Sequence, residues 1–166
     1  DNIEKLVLSN ELDFALIEGL VHSSQLESID FIKDELIVIS STNHRLCDKK
    51  NLTLRDISGE DFIMRERNSG TREVAESILS TQGIVLNPAW ESTSTEAIIH
   101  AVSKNLGISI LPMALVQEYI DNGLVSRLNL KNISFIRDYH IIHHRNKYLT
   151  APAKSFIELC TLKSPF

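Results

Sequence analysis

A chain of 166 residues, 43% hydrophobic and 23% charged, has the composition of a globular domain and suffices for one domain or two small lobes. Its formal net charge of −5, with 17 scattered basic residues, argues against a broad nucleic-acid-binding face. No apolar run approaches the ~20 residues that span a bilayer, no export signal opens the sequence, and Cys47 and Cys160 lie far apart, so a reduced cytoplasmic protein is expected.

Taken in chain order, Asn2 to Asn10 places Ile3, Leu6 and Val7 on one face and predicts a helix. Asp13 to Glu18 is a short apolar run ending at Gly19 and predicts a buried strand. Ile29 to Lys33 and Leu36 to Ser40 predict two further strands, interrupted by Asp34-Glu35, and a helical turn is expected around Leu54 to Ile57. Asp61 to Met64 predicts a strand that runs into Ser69-Gly70-Thr71-Arg72 and a helix ending at Gln82-Gly83. Pro88 to Glu91 predicts a short strand, and Thr93-Ser94-Thr95-Glu96 predicts a capping box with Thr93 as N-cap. A helix carrying Ile98, Ile99 and Val102 inward follows, then a strand from Gly107 to Pro112, a helix from Met113 to Asn122, and strands at Leu124 to Leu128 and Phe135 to His143. Thr150-Ala151-Pro152 opens a last helix, with Phe156, Ile157 and Cys160 or Leu159 expected to face a core. Alternation of helix and strand predicts an α/β fold with a mainly parallel sheet.

The stretch from Met64 to Arg72 carries the most chemical information. A strand, a polar turn and a helix start there would combine free backbone N–H groups, the positive end of a helix dipole and a guanidinium fork, which together make an anion site. An ordinary capping turn with a surface arginine is the alternative. A second polar helix start at Thr93 to Glu96 also follows a strand, and two such turns at the carboxyl end of a sheet would line one crevice. His140, His143 and His144 have no cysteine or acidic partner at a ligand spacing, so strand-end histidines are preferred to a metal site. Ser109 lies in an apolar strand without a nucleophile elbow, no phosphate loop or dinucleotide fingerprint is present, and a Glu66–Glu96 carboxylate pair has no fixed separation. No catalysis and no cofactor are therefore expected.

At family level, Glu11 to Gly19, Asp34 to Ile39 with His44-Arg45-Leu46, Phe62 to Glu66 with Ser69 to Arg72, Ser94 to Ile98, Ala101-Val102 with Leu106 to Pro112, and Ala153 to Ile157 resemble the effector-binding domains of LysR-type transcriptional regulators, in order along essentially the whole chain. The resemblance implies two Rossmann-like α/β lobes with the fold of type 2 periplasmic binding proteins, joined by two crossing segments, with a small ligand in the cleft. Lobe I would hold residues 1–37 and 138–166, and lobe II residues 38–137. The sensing residues implied are Arg65, Glu66, Ser69, Gly70, Thr71, Arg72, Ser94 and Thr95, with Glu18 from lobe I. The Ser-Gly-Thr-Arg form resembles the branch that includes sulfur-metabolism regulators, which implies a small anionic effector, an oxyanion or carboxylate. A homodimer or homotetramer is implied, with DNA contacted only through an N-terminal helix-turn-helix domain absent from this chain. The family's opening strand–helix–strand unit of lobe I, roughly 30 residues or more, is also absent. A half-lined pocket, an exposed strand edge in lobe I and a tendency to pair across it are expected. A solute-binding component of a transporter shares the fold and is the alternative.

Overall fold

The computed structural model describes residues 2–162. In chain order the elements are α1 (Asn2–Leu8), β1 (Ala15–Glu18), β2 (Leu26–Ser41), α2 (Leu54–Ile57), β3 (Ile63–Arg65), α3 (Gly70–Thr81), β4 (Trp90–Ser92), α4 (Thr95–Ser103), β5 (Ser109–Pro112), α5 (Met113–Asp121), β6 (Val125–Leu128), β7 (Phe135–His144) and α6 (Ala151–Leu162). The chain divides into two compact units. One comprises the residues up to Asp34 together with those from Arg137 onward, and the other runs from Glu35 to Ile136.

The second unit is a sheet covered by helices on both faces. β2 pairs antiparallel with β5 (Leu36 opposite Pro112) and with β6 (Val38 opposite Leu128). β3 and β4 pair in parallel, and Ile63 and Ile108 join β3 to the start of β5 through an Ile63 N–H to Ile108 carbonyl bond of 2.8 Å. Alternation along β2 sends Leu36 and Val38 to one face and Ile37 and Ile39 to the other. α3 covers the first face with Val74, Ala75 and Leu79, beside Phe62 and Met64. α4 covers the second with Ile98, Ile99 and Val102, beside Ile63. The helix that follows β3 and the helix that follows β4 thus lie on opposite faces. Gly107 is required where β5 begins: its φ is +157°, and a Cβ there would collide with the Asp61 carbonyl.

In the first unit β1 pairs antiparallel with β7, from Ala15 opposite Ile142 to Glu18 opposite Tyr139, and β1 stands at the sheet edge. Val7, Ala15, Leu26 and Ile142 form a small core. Its polar counterpart is Arg137, whose side chain is 2% exposed. Nε and Nη2 donate to Asp34 Oδ2 at 2.9 and 2.7 Å, Nη1 donates to Glu18 Oε2 at 2.7 Å, and the guanidinium lies 4.9 Å from the centre of the Tyr139 ring.

Four sequence expectations are corrected. The two strands expected around Asp34-Glu35 are one 16-residue strand, β2. The two acids do not break it because Asp34 is held by Arg137 and Glu35 by Arg127. The sheet is not mainly parallel: β2 leaves the first unit and β7 re-enters it, and the β1–β7, β2–β5 and β2–β6 pairings are antiparallel. The N-cap of α4 is Ser94, not Thr93, and its hydroxyl accepts from the Ala97 N–H at 3.2 Å, while Glu96 points toward His100. On α6, Ala153 and Ile157 are buried, whereas Phe156 and Leu159 are 44% and 54% exposed. Phe156 packs instead on Phe14, ring centres 5.4 Å apart.

Removing Arg137 strands a carboxylate that is 15% exposed, Asp34. Arg137→Leu is therefore expected to lower unfolding stability by about 3 kcal/mol, as for a broken buried ion pair, read as a shift of the urea midpoint at pH 7. The double substitution with Asp34→Asn should recover part of that loss.

Candidate functional site

The sequence Arg65-Glu66-Arg67-Asn68-Ser69 leaves β3 and turns sharply. The Ser69 N–H donates to the Glu66 carbonyl at 3.2 Å, with Asn68 at φ +71°. Ser69 is then the N-cap of α3, in extended backbone conformation, and its carbonyl accepts from the Glu73 N–H at 2.9 Å. Its hydroxyl makes no capping bond although the residue is only 7% exposed. Beside it, Arg65 on β3 stands opposite Ser92 on β4. Ser92 Oγ accepts from the Ser94 N–H at 3.1 Å and so shapes the turn into α4.

These two turns touch. Arg65 Nη1 donates to Thr95 Oγ1 at 3.3 Å, linking the end of β3 to the first residue of α4. Because α3 and α4 lie on opposite faces, the carboxyl ends of β3 and β4 form the kind of switch point at which open α/β sheets hold ligands. Both helices aim their N-termini there, where first-turn N–H groups have no acceptor in the helical ladder.

Arg72 departs from its expected role. Its side chain is 7% exposed. Nε donates to Glu76 Oε1 at 2.6 Å, and Nη1 donates to the Arg65 carbonyl at 3.2 Å and pairs with Glu91 Oε1 at 2.8 Å. Burial alone would favour its neutral form, but the bonds to Glu76 and Glu91 outweigh that and hold the guanidinium more firmly charged than usual. It fastens α3, the end of β3 and β4 to one another rather than presenting an unpaired cation. The Glu76 partner was legible as an i,i+4 spacing; the Glu91 partner, 19 positions from Arg72, needed the β3–β4 register.

Arg65 is the more accessible guanidinium, at 21% side-chain exposure. Nε and Nη2 donate to the two oxygens of its neighbour Glu66 at 2.8 and 3.0 Å. These bonds, against the opposing effect of burial, hold the Glu66 carboxyl below its ordinary value of 4.5. Gly70 and Thr71 form the first turn of α3, with Thr71 buried. Glu18 lies in the first unit, bonded to Arg137. His140 pairs with Asp30 at 2.7 Å and His143 Nδ1 meets the His144 carbonyl at 3.1 Å. Among the described residues no group of three potential ligands could hold a metal.

A separate cavity of about 360 Å³, lined by His44, Arg45, Glu60, Asp61 and Asn105 among others, opens at the other ends of β3 and β5. There Glu60 is already paired with His44 at 3.3 Å and with Arg45, and no helix N-terminus faces it from β3 or β4.

Residues 1–163 match the sequence model of the LysR substrate binding domain. The chain belongs to that family. It is 31% identical over 159 residues to the uncharacterized HTH-type transcriptional regulator YeiE of Escherichia coli K12, covering 96% of this chain and 54% of that protein. It is 34% identical over 153 residues to the HTH-type transcriptional activator CmpR of Synechocystis, covering 91% and 50%. The LysR domain here thus spans about half the length of these curated relatives. Among solved structures, the regulatory domain of Synechocystis CcmR in complex with 2-PG superposes with a TM-score of 0.84 at 24% identity, over 97% of this chain and 77% of that one. The effector binding domain of QuiR in complex with shikimate gives 0.82 at 21% identity, over 99% and 77%. The fold is therefore the mixed α/β fold of LysR regulatory domains, like that of type 2 periplasmic binding proteins. The relatives are transcriptional regulators and the matched family is a binding domain, which sets the sensing reading above an enzymatic one.

Arg72→Met leaves Glu76, Glu91 and a strand-end carbonyl without their shared donor. It is expected to cost about 2 kcal/mol in urea unfolding, less than a fully enclosed pair because both glutamates are partly exposed, with Arg72→Lys in between. Glu66 gives a pH test. Its folded value is lowered, so its pairing contributes in full above about pH 4.5 and is lost as pH falls through the lowered value. The stability gap between parent and Glu66→Gln, measured by urea unfolding, should be present at pH 7 and shrink below pH 4.5.

Proposed function

We propose that the crevice at the carboxyl ends of β3 and β4 is the effector site of a LysR-type DNA-binding transcriptional regulator, and that it takes a small anionic metabolite. The observation that carries this reading is the Arg65–Thr95 bond, which brings the N-termini of α3 and α4 and one accessible guanidinium to the same place. Arg65 supplies charge. Ser69, Gly70 and Thr71 from one turn, and Ser94 and Thr95 from the other, supply hydroxyls and backbone N–H groups. Arg72 holds the turns in place, and Glu66 competes for Arg65. Glu18 is assigned to the Arg137 network instead.

Support comes also from the regulatory domains of the same fold whose structures hold 2-PG and shikimate. The curated relatives are HTH-type regulators, which favours the regulator over a transporter component. In the whole protein, DNA would be bound by a domain outside this chain, in the cytoplasm and in an oligomer of the same subunit. Differential affinity of about 1–3 kcal/mol between two states is enough for the effector to bias that oligomer. Among the described residues, no helix is long and apolar enough to cross a membrane.

A charge-assisted bond contributes about 1.5–3 kcal/mol. Arg65→Gln should therefore weaken binding of shikimate or of a comparable small carboxylate by tenfold or more in calorimetry, and Thr95→Val by a smaller factor. Unchanged affinity in both variants would place the effector elsewhere.

A further inference from the structure

The charges around the crevice do not suit a bare anion. Residues 65–76 and 91–96 carry three arginines, Arg65, Arg67 and Arg72, against five glutamates, Glu66, Glu73, Glu76, Glu91 and Glu96. Two of the arginines are already answered: Arg72 by Glu76 and Glu91, and Arg65 by both oxygens of Glu66. Glu66 occupies the Nε–Nη2 edge of Arg65, so an inorganic oxyanion that takes the N–H groups left on Nη1 and Nη2 lies close to that half-buried carboxylate. Two negative charges then repel each other across one guanidinium.

A ligand that carries a hydrogen-bond donor next to its acid group removes the conflict. Its carboxylate receives from Arg65 and the surrounding N–H groups, while its donor bonds to the Glu66 carboxylate beside it and offsets the repulsion. Ser69, buried and with its hydroxyl not spent on capping α3, adds a group able to donate or accept at the same turn. A site that demands a donor rejects the isostere lacking it, because its own acceptor is then left unpaired.

We propose that Glu66 is the specificity-determining residue of this crevice, and that it selects a small carboxylate bearing a hydroxyl or ammonium group beside the acid over an inorganic oxyanion or a simple acid. This rests on the crevice being the effector site. The series acetate, glycolate and glycine tests it, since the three differ only in bearing hydrogen, hydroxyl or ammonium on the carbon next to the carboxylate; sulfate serves as the bare oxyanion.

With the 166-residue chain, calorimetry should give glycolate or glycine at least about tenfold tighter binding than acetate and sulfate, as expected for one charge-assisted bond. Which of the two binds tighter identifies the donor as hydroxyl or ammonium. In Glu66→Gln the preference should collapse to within about twofold, with acetate and sulfate binding more tightly than to the parent. Glu66→Asp, which keeps a carboxylate, should retain part of the preference and guards against misreading a folding defect. Equal binding of acetate and glycolate by the parent, or an undiminished preference in Glu66→Gln, overturns the role of Glu66 while leaving the crevice as the effector site. If none of the four, nor shikimate, perturbs the crevice, the site assignment itself fails and the specificity falls with it.

Discussion

A guanidinium taken out of water is tolerable only where carboxylates and carbonyls replace its hydration, and at Arg72 they come from three elements. Glu76 lies one turn along α3, Glu91 is on β4, and the Arg65 carbonyl is at the end of β3. Removing any of them leaves a buried charge undercompensated, so the three elements are held at one mutual spacing. That spacing brings Arg65 opposite Ser92 and within reach of Thr95. The mutual placement of the two turns in the proposed site depends on this buried cation more than on any exposed residue.

The sheet beneath supplies the other half of the geometry. Adjacent residues of β2 enter different cores, Leu36 and Val38 with α3 and Ile37 and Ile39 with α4. With apolar material on both faces, neither helix can slide without exposing its own stripe of buried residues. Two helix N-termini consequently open at neighbouring strand ends from opposite sides, and the Arg65–Thr95 bond joins their turns. Rigid elements with short polar turns between them are the arrangement in which a few hydrogen bonds can discriminate among small ligands.

Much of this was legible in the sequence, for identifiable reasons. The helix-to-strand alternation, the Gly83 and Gly123 helix ends and the two polar helix starts follow from periodicity and from backbone preference, both of which act locally. What escaped was decided by partners remote in sequence. Asp34-Glu35 reads as a break until Arg137 and Arg127 are seen to neutralise it within a continuous strand. Sheet direction is not legible in the pattern, because alternation cannot tell a returning strand from a crossover. Arg72 reads as an anion ligand until Glu91 appears beside it, and Glu66 reads as one more liner until its carboxylate is seen to occupy Arg65. In each case the residue type was visible and its prior commitment to another group was not.

We propose that ligand is sensed where β3 and β4 hand over to α3 and α4. Amide NMR spectra of isotope-labelled protein, recorded during titration with glycolate and with glycine, address it most directly. The largest saturable shifts are expected on residues 65–73 and 92–97. The largest shifts falling instead around His44, Glu60 and Asn105, at the other ends of β3 and β5, would contradict it.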